Sequence, residues 1–209
     1  MISKLHYITQ ENPHFTHQQL ITLACKGGAN WVQLRVKNKS YTELLLIGIE
    51  AKAICKKYKT RLIINDNVTL AKELEADGVH LGKSDMCITD ARKYLGSNFI
   101  IGGTANTFQD ILQLTSMGVN YIGLGPYRFT KTKENLSPVI GLDGLNLLIK
   151  QCKLGNISTP IIAIGGIHLE DIQVLLKTGI YGVAIASAIN EAEDKVQVVQ
   201  EFVSASKID

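Results

Sequence analysis

Short apolar runs alternate with longer amphipathic stretches along the whole 209-residue chain. The apolar runs predict eight β-strands, at residues 5–9, 31–36, 61–65, 78–81, 99–103, 121–125, 160–165 and 181–187. Two of these runs, Leu62-Ile63-Ile64 and Ile161-Ile162-Ala163-Ile164, are continuously apolar and lack the alternation of a half-exposed strand. Continuous apolar runs are typical of parallel strands that are covered on both faces.

The stretches between the predicted strands carry apolar residues at helical spacing, at residues 16–26, 41–57, 107–117 and 169–177. Thr16 is expected to cap the first of these helices, and Gly27 is expected to end it. The junctions around Gly27, Gly118 and Gly179 are alike, because each offers a glycine suited to a left-handed C-cap and then starts a strand at once. These repeated junctions predict alternating β and α units.

Eight strand–helix units in about 200 residues predict the α/β class and, within it, a single-domain (β/α)8 TIM barrel spanning residues 1–209. A doubly wound open sheet is the alternative fold. It is less favoured because no GxGxxG motif follows the first predicted strand, where such folds place their phosphate-binding turn.

Composition excludes several classes of partner. The 22 basic and 19 acidic residues give a formal charge of +3 and are spread along the chain, so we expect no nucleic-acid partner. No apolar run approaches the roughly 20 residues of a membrane span, and no signal peptide is visible, so we expect no membrane partner and a cytoplasmic location. The four cysteines lack metal-ligand spacing and are interpreted as packing residues. A homo-oligomer stays open.

In a (β/α)8 barrel the reactive groups lie at the carboxyl ends of the strands, and polar residues of this chain fall there. Gln33, Arg35 and Lys37 alternate along the second predicted strand, so we expect them on one inner face. Buried cations need anionic partners, and polyphosphate suits both an arginine fork and a lysine charge. Asn65 and Lys133 join this rim from the third strand and from the loop after the sixth.

Two carboxylates, Asp66 and Asp85, follow the third and fourth predicted strands. Acidic side chains beside a polyphosphate would repel it unless a divalent cation lies between them. Mg2+ held by one or two carboxylates and by substrate phosphates is the usual arrangement, so the pair predicts a magnesium site. Taken alone, Asn65-Asp66-Asn67 could equally cap the next helix.

A second phosphate site is predicted later in the chain. Gly165-Gly166 and Ala186-Ser187 end the seventh and eighth strands, where barrels often bind a monophosphate through backbone N–H groups. Two phosphate sites imply two phosphorylated substrates that meet over the barrel mouth. His80 lies within an apolar strand and is interpreted as a hydrogen-bonded core histidine instead of a base.

Six motifs follow one another in a fixed order along the chain. They are Gln33-x-Arg35-x-Lys37, Ile64-Asn65-Asp66, Gly78-Val79-His80-Leu81-Gly82-x-x-Asp85, Gly125-Pro126 followed by Thr130-x-Thr132-Lys133, Ala163-Ile164-Gly165-Gly166-Ile167 and Ser187-Ala188-Ile189. Together they resemble the thiamine-phosphate synthase family, from about residue 5 to residue 189. The resemblance implies a (β/α)8 transferase that uses Mg2+. Such an enzyme condenses 4-amino-2-methyl-5-(diphosphomethyl)pyrimidine with 4-methyl-5-(2-phosphoethyl)thiazole, or its carboxylated form, and releases pyrophosphate.

The resemblance also implies roles for individual residues. The residues that match contacts to the pyrimidine diphosphate are Gln33, Arg35, Lys37, Asn65 and Lys133, and the catalytic cations among them are Arg35, Lys37 and Lys133. Thr104 matches the family's substrate-binding hydroxyl after the fifth strand, and Asp66 and Asp85 match its Mg2+ ligands. The residues that match contacts to the thiazole phosphate are Thr130, Thr132, Gly166, Ala186 and Ser187.

Some positions depart from the family pattern. The chain has Gln10 where many members have aspartate, Asn106 where the family has a histidine, and Arg128-Phe129 where it has Phe-Pro. Thr104 stands where serine is usual but keeps the hydroxyl, so we expect altered contacts and retained activity. A thiazole tautomerase of the same superfamily is one alternative function, but such proteins lose the metal acids and the pyrophosphate cations. A non-catalytic thiamine-phosphate-binding protein is another, although product binding alone does not require Mg2+.

Overall fold

A computed structural model of the protein describes residues 1–130 and 137–207. Eight parallel strands form a closed barrel in sequence order, and β1 closes the sheet by pairing with β8. The strands are β1 (Leu5–Ile8), β2 (Trp31–Leu34), β3 (Arg61–Asn65), β4 (Gly78–Leu81), β5 (Ile100–Ala105), β6 (Tyr121–Leu124), β7 (Ile161–Ile164) and β8 (Gly182–Ile185). The predicted (β/α)8 barrel is confirmed, and the closed sheet excludes the doubly wound alternative.

Helices follow the strands around the barrel. They are α1 (His17–Lys26), α2 (Tyr41–Tyr58), α3 (Val68–Glu73), α4 (Ile88–Leu95), α5 (Phe108–Ser116), α6 (Gly141–Leu154), α7 (Ile172–Thr178), α8 (Ser187–Asn190) and α9 (Lys195–Ala205), with a 3-10 turn at Leu169–Asp171. Among the residues described, no helix combines the length and the apolar character that crossing a bilayer requires.

The local signals act largely as the sequence predicts. Thr16 caps α1 in a capping box with Gln19, and Gly118 and Gly179 adopt positive φ at their junctions. Gly27 ends α1 as predicted, and the left-handed conformation at this junction is adopted by Gly28, with φ 94°, and not by Gly27, with φ −74°. A Cβ at Gly27 would lie 2.6 Å from Cβ of Val199, so this glycine permits α1 to pack against α9.

The second strand is shorter than predicted, and this changes the position of two cations. β2 leaves the ladder after Leu34 pairs with Ile64, and the Arg35 N–H donates instead to Thr9 Oγ1 at 3.0 Å. Arg35 and Lys37 therefore lie in the loop after β2, and only Gln33 lies within the strand. The prediction of one shared inner strand face is wrong for these two residues.

Aromatic rings fill the barrel interior near the amino ends of the strands. His6 stacks on Trp31 with ring centroids 4.3 Å apart, and Tyr121 packs edge-on against both rings. A Cβ at Gly102 would lie 2.2 Å from the Tyr121 ring, so the absence of a side chain there makes room for the tyrosine. This aromatic layer of His6, Trp31 and Tyr121 closes the interior at one end and leaves the carboxyl end for a site.

Candidate active site

A cavity of about 400 Å³ lies at the carboxyl ends of the strands. Many residues singled out from the sequence line this one cavity: Gln33, Arg35, Asn65, Asp66, Asp85, Thr104, Thr130, Gly166, Ala186 and Ser187. They come from the ends of all the strands between β2 and β8, which the barrel brings together although they are far apart in sequence.

Three predicted site residues are not among those that the structure shows lining the cavity. Lys37 is half-buried and is not among the described lining residues, and its backbone N–H lies 3.4 Å from Glu11 Oε1. Thr132 and Lys133 lie outside the described residues. Their roles stay predictions from the family resemblance.

The two predicted metal ligands meet at the edge of this cavity. The Asp66 side chain is in hydrogen-bonding contact with Asp85, and burial together with that neighbouring acid raises the pKa of Asp66 to about 7. Hydrogen bonding from Asn65 and the positive charge of Arg35 act in the opposite direction. Two carboxyl groups this close favour sharing one proton or binding one cation.

Local backbone structure determines the positions of Asp66 and Asp85. Asp66 has φ 62°, a left-handed conformation that turns the chain sharply at the end of β3. Asp85 Oδ2 accepts the Gly82 N–H at 2.6 Å, which fixes the turn after β4. Within the described ranges, no group of three or more histidine, cysteine or acidic side chains could hold a metal ion. The acid pair fits Mg2+ because this ion commonly takes one or two carboxylates and completes its shell with substrate phosphates and water.

Buried polar residues that the sequence did not single out support Arg35. Thr9 Oγ1, fully buried, accepts the Arg35 N–H and lies 2.9 Å from His17 Nδ1. His17 in turn contacts Glu11 through its other ring nitrogen at 3.2 Å. A threonine and a histidine of this kind are common in any sequence, so only the folded geometry identifies them as supports of the loop after β2.

His80 makes two hydrogen bonds inside the barrel. Its Nδ1 lies 3.0 Å from the Tyr121 hydroxyl, and its Nε2 lies 3.0 Å from Thr104 Oγ1. The predicted hydrogen bonding of His80 is confirmed, but the ring also lines the cavity and does not lie only in the core. The ring also orients the Thr104 hydroxyl, which lines the cavity.

On the opposite side of the cavity, backbone shape replaces charged side chains. Gly165 and Gly166 have φ 99° and 63°, and a Cβ on Gly166 would lie 2.8 Å from Cβ of Arg128. The fully buried Asn190 holds the turn after β8, because its Nδ2 donates to Ala186 O at 2.8 Å and to Ile8 O at 2.9 Å. No sequence motif singles out Asn190.

The residues that depart from the family pattern contact neighbouring parts of the chain. Asn106 Nδ2 donates to the Gly125 carbonyl, and Asn106 Oδ1 accepts the Ser137 hydroxyl at 3.0 Å. Arg128 forms an ion pair with Asp171, which belongs to the segment after β7. The Gln10 amide nitrogen lies 3.4 Å from Glu191 Oε1. Asn106 and Arg128 therefore join neighbouring loops of the barrel mouth.

The fold and the site define a (β/α)8 barrel of the kind that acts on phosphorylated small molecules, with an acid pair and a cation facing a glycine-lined rim. The family model described as thiamine monophosphate synthase matches residues 5–189. The chain belongs to this family, and the predictions of the family and of a transferase enzyme are confirmed.

Individual relatives agree over nearly the full length. The chain is 45% identical over 204 residues to a thiamine-phosphate synthase of Bacteroides thetaiotaomicron, covering 98% of each chain. It is 47% identical to one of Flavobacterium johnsoniae, covering 97% of this chain and 95% of the relative. A solved thiamine phosphate pyrophosphorylase from Pyrococcus furiosus superposes with a TM-score of 0.86 at 31% identity, covering 97% and 95% of the two chains.

Proposed function

We propose that the protein uses this cavity to condense 4-amino-2-methyl-5-(diphosphomethyl)pyrimidine with 4-methyl-5-(2-phosphoethyl)thiazole, or its carboxylated form. The products are thiamine phosphate and pyrophosphate. The observation that carries the proposal is that two chemically different sets of residues line one cavity. We assign the diphosphate to the first set, Arg35, Asn65, Asp66 and Asp85, and call it the diphosphate side. We assign the monophosphate to the second set, Thr130, Gly166, Ala186 and Ser187, and call it the monophosphate side.

The reaction is a substitution at the methylene carbon of the pyrimidine. The carbon–oxygen bond breaks with its electron pair leaving on pyrophosphate, and the thiazole nitrogen donates the pair that forms the new carbon–nitrogen bond. The aminopyrimidine ring stabilises positive charge on the methylene carbon, so dissociation runs ahead of attack. No strong base is required, which agrees with a His80 ring held by two hydrogen bonds.

The chain's own residues bind and orient the pyrimidine diphosphate. Arg35 stabilises negative charge as it develops on the leaving group, with Lys37 and Lys133 as the further cations that the family resemblance assigns. Gln33, Asn65 and Thr104 orient the substrate so that its methylene carbon faces the second substrate. Asp66 and Asp85 are the residues that would hold Mg2+. When bound, this ion neutralises negative charge on the diphosphate oxygens.

The monophosphate side fixes the thiazole substrate from the opposite direction. Backbone N–H groups near Gly166, Ala186 and Ser187, with the hydroxyl groups of Thr130 and Thr132, bind its phosphate. A phosphate held there would orient the thiazole nitrogen towards the methylene carbon of the pyrimidine. We assign this reaction to the cytoplasm, with no nucleic-acid or membrane partner.

The test is pyrophosphate release by the purified protein when each component is omitted in turn. Release that requires both substrates and Mg2+ is the expected result. Release without the thiazole phosphate would instead identify a hydrolase. A change in the thiazole carboxylate isomer with no pyrophosphate formed would identify a tautomerase, and either outcome would overturn the proposal.

A further inference from the structure

An ion pair joins the segment after β6 to the segment after β7. The Arg128 fork donates from Nη1 to Asp171 Oδ2 and from Nη2 to Asp171 Oδ1, both at 2.7 Å. The Asp171 side chain is only 7% exposed, whereas that of Arg128 is 46% exposed. A bidentate geometry with one buried partner distinguishes this pair from the loose ion pairs of a protein surface.

Asp171 is held as a carboxylate by its neighbours. Burial alone would raise its pKa, but hydrogen bonds from Arg128 and from the His168 N–H keep the pKa below its ordinary value. The His168 N–H donates to Asp171 Oδ2 at 2.8 Å. The acid therefore fixes both Arg128 and the turn that leads into α7.

Arg128 also binds the glycine turn directly. Its Nη1 donates to the Gly166 carbonyl at 2.9 Å, and its backbone N–H donates to the Gly165 carbonyl at 2.9 Å. In a trans peptide the carbonyl and the following N–H point in opposite directions. Because Arg128 holds the Gly166 carbonyl, the N–H of Ile167 points away from Arg128.

The Ile167 N–H is available for a ligand. Ile167 and Gly166 line the cavity, and Arg128 is not among the described lining residues. No acceptor for the Ile167 N–H occurs within residues 1–130 and 137–207. Thr130, two residues after Arg128, also lines the cavity.

We propose that Arg128 and Asp171 are positioning residues that hold the Gly166–Ile167 peptide with its N–H directed at the phosphate of the thiazole substrate. The inference rests on the proposed function and extends it to residues outside the cavity. Arg128 acts through the peptide that it orients, because its own positive charge is paired with Asp171.

Arg128→Lys and Asp171→Asn test this role, because the first keeps the charge without the fork and the second keeps the shape without the charge. We expect each variant to raise the KM for the thiazole phosphate about tenfold, with kcat and the KM for the pyrimidine diphosphate changing less than about twofold. The double variant should be no worse than the more affected single variant, because both substitutions break one pair.

Arg92→Lys is the matched control. Arg92 binds the carbonyls of Gly96 and Phe99 and the Asn120 side chain, before β5 and β6, at the opposite end of the barrel. Its loss should lower the melting temperature without separating the two KM values. Equal increases in both KM values in the Arg128 and Asp171 variants, or an unchanged KM for the thiazole phosphate, would overturn the inference.

Calorimetric titration of the thiazole phosphate onto the protein, without the pyrimidine substrate, separates this inference from the proposed function. A tenfold weaker Kd in the variants is expected whether or not turnover is measured. If the proposed function is wrong, the unmodified protein will bind the thiazole phosphate but release no pyrophosphate when both substrates and Mg2+ are present. Failure of the positioning role appears as an unchanged Kd in variants of an active protein.

Discussion

In the proposed reaction, the two sides of the barrel mouth bind their anions by different physical means. The diphosphate side uses side-chain charge, with Arg35 close to the acid pair Asp66 and Asp85. The monophosphate side uses backbone shape, with Gly165 and Gly166 at positive φ. Side-chain charge can stabilise a group whose charge grows during the reaction, whereas a backbone cradle suits a phosphate whose charge stays constant. Substitutions on the first side should therefore reduce kcat, and those on the second should raise KM.

Asp66→Asn should have the largest effect, lowering kcat by about a thousandfold because it removes one of the two proposed Mg2+ ligands from the group that stabilises the leaving pyrophosphate. Asparagine tolerates the left-handed backbone at this position, so the fold should be retained. Steady-state pyrophosphate release at saturating substrates measures the loss. Asp90→Asn, at an exposed acid on α4, is the control and should leave kcat unchanged. A kcat within twofold of the unmodified protein would exclude a role for the acid pair.

Gly166→Ala should have an intermediate effect that falls on KM. The new Cβ would lie 2.8 Å from Cβ of Arg128 and 2.9 Å from the Phe129 carbonyl, at a φ of 63°. We expect the KM for the thiazole phosphate to rise between about tenfold and a hundredfold, while the KM for the pyrimidine diphosphate stays within about twofold.

Gly118→Ala is a matched control for the glycine variant. Gly118 has a similar φ of 75°, but among the residues that the structure describes, no atom beyond its two chain neighbours lies within 4 Å of the new Cβ. The residue precedes β6 at the far end of the barrel. It should cost about 1 kcal/mol of stability through backbone strain and leave both KM values unchanged. If the two alanine variants behaved alike, general strain would explain the Gly166 result and the comparison of the two sides would fail.

Ser187→Ala should have the smallest effect. Ser187 is the first residue of α8, and its backbone N–H survives the substitution. The KM for the thiazole phosphate should therefore change by less than about threefold. A tenfold or greater increase would show that the hydroxyl group binds the phosphate, and the monophosphate side would then depend on side chains as well.

The sequence predicted what depends on periodicity and strand order. Apolar runs located the eight strands, and the closed barrel brings Asp66 and Asp85 together because their strands are neighbours. The same reasoning extended β2 too far, because nothing local shows that the Arg35 N–H would leave the ladder for Thr9. Strand ends depend on such competing partners, which periodicity does not report.

The residues that support the site from outside the cavity were not identified from the sequence. Arg128 and Asp171 are 43 residues apart and meet only because β6 and β7 are adjacent. Asn190 and Tyr7 are 183 residues apart and join through the closure of β1 against β8. Single polar residues in loops have no periodic pattern, so their partners cannot be inferred without the three-dimensional path of the chain.

The aromatic layer of His6, Trp31 and Tyr121 turns the barrel interior into a blind-ended chamber. In the proposed reaction, both substrates enter and both products leave through the same cavity opening, at the carboxyl ends of the strands. A pyrophosphate that stays bound occupies the site that the next pyrimidine diphosphate needs. In the proposed reaction, pyrophosphate must therefore leave before the next pyrimidine diphosphate can bind.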